Sequence, residues 1–161
     1  MQISFGRYRT IFSLPAAPVA DLCAAAEALA QDGHTVWALP DAALDALPTL
    51  QAYFAARATI FPAAEIPTGL TPTELRSLAR EADCVAVYPA QLFGEEYAPI
   101  AVNLLPQTDL IAAGDLDYDL ARAWLAAGAA AVWLTDAITA PLIADDLAEF
   151  RELSQSWQLA D

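Results

Sequence analysis

One segment, residues 69–90, limits what this chain can fold into more than any other. The pattern that begins an α-helix is formed by Thr71, Pro72 and Glu74: a capping residue, a proline in the first turn and a carboxylate three residues after the cap. Apolar residues at helical spacing follow. Residues 84–88 are then apolar throughout and end at a proline. Such a run is typical of a strand buried on both faces in a parallel sheet, so the segment predicts one helix-to-strand step of an α/β protein.

Strand-like and helix-like segments alternate along the rest of the chain. The predicted strands lie at residues 9–14, 35–39, 58–70, 84–88, 109–113 and 130–134, and the third can include a short extra piece. The predicted helices between and after them lie at about residues 18–32, 41–55, 72–82, 92–105, 117–128 and 141–157. Pro48 and Pro99 are expected to interrupt the second and fourth helices.

This alternation predicts parallel strands that are joined by right-handed crossovers. No linker or composition break divides the sequence, so we expect a single domain over residues 1–161. A closed eight-unit barrel usually needs about 200–250 residues. We therefore expect an α/β fold that is either a reduced TIM-type (βα) barrel or an open parallel sheet of about six βα units.

The charge of the chain is strongly negative. There are 21 acidic and 7 basic residues, and the net charge is −14. Such a charge disfavours binding to nucleic acid or to an anionic membrane. It is explained either by a solubility bias of the surface or by an acidic face for a basic partner or a cation. No apolar run reaches the roughly 18 residues that span a bilayer, and no secretory signal is visible, so a soluble cytoplasmic protein is expected.

The reactive residue types are few. All seven basic residues are arginines, and the absence of lysine excludes any mechanism that needs a lysine Schiff base. The single histidine, His34, comes just before a strand, whereas sites in βα folds lie after strands, so a structural role is expected. Cys23 and Cys84 stand in apolar settings and are predicted to be small core residues rather than a disulfide or metal pair.

Acidic residues are common in the loops that follow the predicted strands. They are Asp41, Glu95, Glu96, Asp115, Asp117 and Asp136, with Glu65 nearby if the third strand ends early. Oxygen ligands of this kind suit Mg²⁺ or Ca²⁺. The competing interpretation is that Asp41 and Asp117 cap helices and that Glu95 and Glu96 are solvated. Because capping and solvation explain these acidic residues, we predict no metal and no cofactor.

Four residues are the candidates for a ligand pocket. They are Glu65, Tyr88, Asp115 and Asp136. The large aromatic residues in or beside strands, Trp37, Tyr88 and Trp133, are expected to fill the interior rather than to stack on a ligand, because small barrels pack their centres with side chains.

Several motifs resemble the 2-keto-3-deoxy-6-phosphogluconate (KDPG) / 4-hydroxy-2-oxoglutarate aldolases. Residues 66–74, IPTGLTPTE, look like the family's I-P-G-V-x-T-P-T-E segment, and residues 83–90, DCVAVYPA, look like its D-x-x-K-x-F-P-A strand. Residues 111–116 stand where the family has V-P-T-G-G-V, and residues 122–132 are similar to its seventh helix and eighth strand. The resemblance implies a shortened relative of (β/α)8 barrels that are commonly trimers.

The family's active positions are not matched. Its Schiff-base lysine falls on Ala86, and its catalytic glutamate falls on or near Trp37. Its phosphate-binding glycines fall on residues 113–115, where Asp115 brings a carboxylate, and on the bulky residues 133–135. The resemblance therefore implies the loss of the nucleophile, the acid/base group and the anion site together.

Two functions remain open from the sequence. The first is a catalytically inactive aldolase-like protein that binds a protein partner or assembles with itself. The resemblance implies that such a homo-oligomer is a trimer. The alternative is a divalent-metal-dependent lyase or decarboxylase that acts on a small keto acid through Asp115, Asp136 and Glu65.

Overall fold

The computed structural model describes residues 3–135, 139 and 147–159, and its contacts divide the chain into two compact units. We call Met1–Ile3 with Glu65–Trp133 the central unit, and Ser4–Ala64 with Leu134–Asp161 the terminal unit. The single domain over residues 1–161 stays a prediction. None of the helices in the described ranges is both long and apolar enough to cross a membrane.

The terminal unit is built on three strands. They are β1 (Thr10–Ser13), β2 (Val36–Leu39) and β3 (Thr59–Pro62), and β2 lies parallel between the other two. Its helices are α1 (Val19–Gln31), α2 (Leu47–Phe54) and α6 (Leu147–Ser156). Trp37 is paired with Phe12 on one side and Ile60 on the other, and all three side chains are buried. The predicted strand at residues 35–39 is thus the centre of this unit.

Helix α1 agrees closely with its sequence pattern. The predicted span was residues 18–32, and Leu22 and Leu29 of its apolar face are fully buried. Val19, expected on that face, is 40% exposed, and Cys23, predicted to be a core residue, is only half-buried. The helix ends at Gln31, and Gly33, two residues later, has a φ of +88° that is readily adopted only by glycine. Local signals were sufficient here because a strong apolar stripe and a glycine stop agree.

The prediction that Pro48 breaks the second helix is confirmed. A 3₁₀-helix, Asp41–Ala46, comes first, and α2 then begins at Leu47 with Pro48 in its first turn. Proline has no N–H to donate, and the first turn is the one place in a helix where no N–H is required. The proline therefore marks the start of α2.

The central unit is built on four further parallel strands. They are β4 (Thr68–Gly69), β5 (Cys84–Val87), β6 (Asp109–Gly114) and β7 (Ala131–Leu134), whose last residue belongs to the terminal unit. β5 pairs in parallel with β4 and β6, and the Ala130 amide donates to the Leu110 carbonyl at 2.8 Å where β7 begins beside β6. The helices are α3 (Pro72–Leu78), α4 (Tyr97–Leu104) and α5 (Tyr118–Ala126). All four residues of β5 are buried, which confirms the predicted internal strand.

The sequence allowed a short extra piece in the third strand, and residues 58–70 do form two strands, β3 and the two-residue β4. The described residues therefore contain seven strands rather than about six. The predicted helix at residues 92–105 is interrupted near Pro99, as expected: residues 93–96 are not helical, and α4 begins at Tyr97 with Pro99 in its first turn. The first four N–H groups of a helix have no partner within it, so this proline removes no hydrogen bond.

Candidate functional site

The carboxyl ends of β5 and β6 lie side by side in the central unit, and in βα folds this edge is where sites are found. Tyr88 follows β5, and its amide donates to the Gly69 carbonyl at 3.1 Å. Asp115 follows β6 and is exposed. The side chain of Tyr88 is 47% exposed, so the expectation that it fills the interior is wrong. It stands beyond the last buried residue of its strand, where it faces solvent.

The loop after β6 is closed by a side chain from the loop after β5. Gln91 lies in a short 3₁₀-helix, Ala90–Leu92, and its Oε1 accepts a hydrogen bond from the Asp115 amide at 3.3 Å. Gly114 has a φ of +143°, and a Cβ added there would overlap Gln91 Oε1. An anion-binding loop needs its N–H groups directed at the ligand. Here the Asp115 N–H is directed at Gln91, and the Asp115 carboxylate lies next to it.

The other two candidate pocket residues are not joined to this pair. Glu65 is exposed at the end of a 3₁₀-helix, Ala63–Glu65, three residues before β4 begins, whereas Tyr88 and Asp115 each follow their strands. Asp136 lies outside the described residues. Within the parts of the chain that the structure describes, no group of three or more His, Cys, Asp or Glu side chains is placed to hold a metal ion.

The two positions that the sequence resemblance aligns with the family's lysine and glutamate are enclosed. Ala86 is fully buried in β5 and paired with Thr68 of β4. In the terminal unit Trp37 is also fully buried; its Nε1 donates to the His34 carbonyl at 3.1 Å, and its ring meets Phe54 edge-on at 4.8 Å. Trp133 is 6% exposed, so the expected burial holds for both tryptophans. Both positions are thus enclosed by packed side chains or paired strands.

The loop acids divide between capping and exposure. Asp117 Oδ1 accepts from the Leu120 amide at 2.8 Å and caps α5, as predicted. Asp41 was expected to cap a helix, but the capping position is Pro40, and no side-chain capping bond is formed there. Glu95 and Glu96 are exposed.

His34 has the structural role that its position predicted. It is 1% exposed, its Nε2 donates to the Ser154 carbonyl of α6 at 2.8 Å, and its Nδ1 has no hydrogen-bond partner among the described residues. The Ser154 hydroxyl donates in turn to Asp32 Oδ2 at 2.8 Å. Burial lowers the pKa of His34, against smaller opposite effects of the Ser154 carbonyl and the Asp32 carboxylate. This cluster ties the end of α6 to the loop between α1 and β2.

Comparison with solved structures finds strong similarity of fold at low sequence identity. The KDPG aldolase of Legionella pneumophila, solved with pyruvate captured as a covalent carbinolamine intermediate, has a TM-score of 0.75 at 15% identity, over 98% of this chain and 96% of that one. The 2-keto-3-deoxy-6-phospho-gluconate aldolase of Zymomonas mobilis has a TM-score of 0.67 at 16% identity, over 96% and 95% of the two chains.

A designed protein is similar as well. A chain of a cube-shaped, porous protein cage, made by fusing symmetric oligomeric domains, has a TM-score of 0.79 at 14% identity, over 92% of this chain and 70% of that one. No protein-family model and no curated protein sequence matches this chain.

These similarities define the fold. Parallel strands alternating with helices make this an α/β protein of the reduced TIM type. More particularly, the chain has the fold of the KDPG aldolases, as its sequence motifs predicted.

Proposed function

We propose that this chain is a catalytically inactive aldolase-like protein that acts by binding a protein partner or by assembling with copies of itself. One observation carries the proposal: the position that matches the family's lysine is Ala86, fully buried in β5, in a chain without lysine. The related aldolase from Legionella pneumophila holds pyruvate as a covalent carbinolamine. Such an adduct needs an amine nucleophile.

Two further observations support the loss of activity. By the resemblance the catalytic glutamate falls on or near Trp37, whose ring packs against Phe54, and the strand Val36–Leu39 carries no carboxylate. The loop that matches the phosphate site donates its Asp115 amide to Gln91. A sugar phosphate would have to displace Gln91 and to approach the Asp115 carboxylate, which repels it.

The surface of the central unit supports an interaction role. Three large side chains near the carboxyl ends of β5 and β6 are exposed: Tyr88 at 47%, Leu92 at 68% and Tyr118 at 41%. Exposed aromatic and apolar groups are enriched in protein interfaces. We propose a homo-oligomer, a trimer by resemblance to the family, or a complex with a protein partner. The two free cysteines, Cys23 and Cys84, support a reducing compartment, and we propose the cytoplasm.

An activity assay tests the proposal against the metal-dependent alternative. Cleavage of 4-hydroxy-2-oxoglutarate and decarboxylation of oxaloacetate are followed with and without Mg²⁺ or Mn²⁺, beside a KDPG aldolase as positive control. We expect no turnover above the protein-free rate under any condition. Turnover that is abolished by Asp115→Ala but kept by Asp119→Ala, a change of another exposed carboxylate, would contradict the proposal.

A further inference from the structure

The central unit has a concavity of about 300 Å³ between the end of α3 and the loop that precedes β6. Arg76 and Arg80 line it on one side, and Gln107 and Thr108 line it on the other. The loop stands before β6, so the concavity lies at the amino-terminal side of that strand. It is therefore separate from the edge that carries Tyr88 and Asp115 after their strands.

The two arginines are unusual for their surroundings. The central unit has ten acidic residues and three arginines, and two of those three line this one concavity. The third, Arg122, lies over the Tyr118 ring at 6.0 Å. Neither Arg76 nor Arg80 forms an ion pair with any residue in the described ranges. The concavity therefore brings together two guanidinium groups that no carboxylate in the described parts of the chain pairs.

The fold brings the two charges to one side. Arg76 lies in the last turn of α3, and Arg80 lies in the turn after it, where its amide donates to the Ser77 carbonyl at 3.3 Å. Both side chains line the same concavity. The rotation of α3 is set by the burial of Leu75 and by the capping box of Thr71 and Glu74. Like charges that line one concavity repel each other, and an anion that contacts both guanidinium groups removes the repulsion.

The same concavity offers an apolar surface beside the arginines. Leu104 and Pro106 line it, and both side chains are at least partly exposed. A neighbouring concavity of about 360 Å³ shares the loop residues 105–108 with it and includes Asp109, whose carboxylate repels an anion. A charged head group is therefore directed to the arginines, and a compact apolar body to Leu104 and Pro106. Both volumes lie near the lower end of the usual range for ligand pockets.

We propose that Arg76 and Arg80, with Thr108 and Gln107, bind a small ligand that has a phosphate-type dianionic head and a compact apolar body. The guanidinium groups contact the head through charge-assisted hydrogen bonds, and the Thr108 hydroxyl and the Gln107 amide donate to its remaining oxygens. The ligand body lies over Leu104 and Pro106. This site is independent of the proposed loss of aldolase activity, because it uses the opposite end of β6.

Calorimetric titration with phenyl phosphate tests the site. We expect binding to the wild-type chain with a Kd on the order of 1 mM or tighter, and a Kd at least about tenfold weaker in Arg76→Gln/Arg80→Gln. The matched control is Arg122→Gln, which removes the same charge elsewhere in the unit and should leave the Kd unchanged. Inorganic phosphate, which lacks the apolar body, should bind more weakly than phenyl phosphate.

Three results would overturn the proposal. They are no binding of phenyl phosphate to the wild-type chain, an unchanged Kd in a folded double variant, and an equal loss in Arg122→Gln, which would show a general charge effect. Equal affinity for inorganic phosphate would overturn the apolar part of the site. Circular dichroism establishes that each variant is folded; the exposed positions of both arginines make this the expected result.

Discussion

Gly114 and Gln91 determine where the N–H group of the loop after β6 is directed. Gly114 has a φ of +143°, and the space that a Cβ would take is filled by the Gln91 amide. The amide of the next residue, Asp115, donates to that same Gln91 oxygen. The glycine thus permits a contact within the chain at the carboxyl end of β6.

Replacing this glycine should therefore be costly. Gly114→Ala is expected to lower the free energy of unfolding by about 1–3 kcal/mol, because the backbone is strained for any other residue and Gln91 must move. Gly94→Ala is the matched control, since a Cβ there meets nothing within 4 Å. Urea unfolding of both variants measures the difference, and an equal small effect at the two positions would contradict the role of Gly114.

His34 makes the stability depend on pH in a known direction. Burial lowers its pKa below the ordinary value of 6.5, so the folded chain binds fewer protons than the unfolded chain just below that pH. The stability that this group contributes is present above pH 6.5 and is lost as the pH falls through the lowered pKa. Protonation would put a hydrogen on Nδ1, which has no acceptor among the described residues.

The variant His34→Gln separates the pH dependence of stability that His34 causes from the pH dependence that the carboxylates cause. A glutamine amide can keep the donor to the Ser154 carbonyl, but it does not titrate. Wild-type stability should fall more than that of His34→Gln between about pH 7.5 and about pH 5.5, measured by urea unfolding. Parallel pH profiles of the two proteins would show that His34 is not the responsible group.

Helix α3 is the element whose local signals are strongest. Thr71 Oγ1 accepts from the Glu74 amide at 3.3 Å, and the Glu74 carboxylate accepts from the Thr71 amide at 2.8 Å. The hydrogen bond from the Thr71 amide to the Glu74 carboxylate is the main cause that lowers the pKa of Glu74, and the bond from the Leu70 amide adds to it. The sequence predicted both partners because a capping box depends only on residues three positions apart.

The capping box should contribute measurably to stability. Thr71→Ala is expected to lower the free energy of unfolding by about 1 kcal/mol, because it leaves the Glu74 amide without its partner. Thr73→Ala, in the first turn of the same helix but outside the box, should have less than about half that effect. If urea unfolding shows equal losses, the box is not what stabilises the start of α3.

Features that depend on residues close in the sequence could be predicted, whereas contacts between distant residues could not. The spans of α1 and β5 were predictable because burial patterns and stop signals lie within the segment. The Gln91 contact was not predictable, because it joins residues 24 positions apart and depends on a glycine conformation. The concavity at Arg76 and Arg80 was missed for the same reason: Thr108 and Gln107 reach it only through the fold.

At the scale of the whole molecule, charge should control assembly. Each chain carries a net charge of −14, so copies repel one another, and salt screens that repulsion over a distance of about 10 Å at 0.1 M. We expect light scattering to give a trimer mass at moderate salt and a lower mean mass at low salt. A strict monomer at every salt and protein concentration would rule out self-assembly and leave binding of a partner.

The claim that the aldolase chemistry is lost is tested most directly by trapping with pyruvate and borohydride, followed by intact-mass measurement and peptide mapping. A KDPG aldolase treated in parallel should gain the mass of a reduced pyruvate adduct. This chain, with Ala86 at the matching position and no lysine, should show no adduct on any internal residue. A reduced adduct mapped to an internal residue would contradict the account.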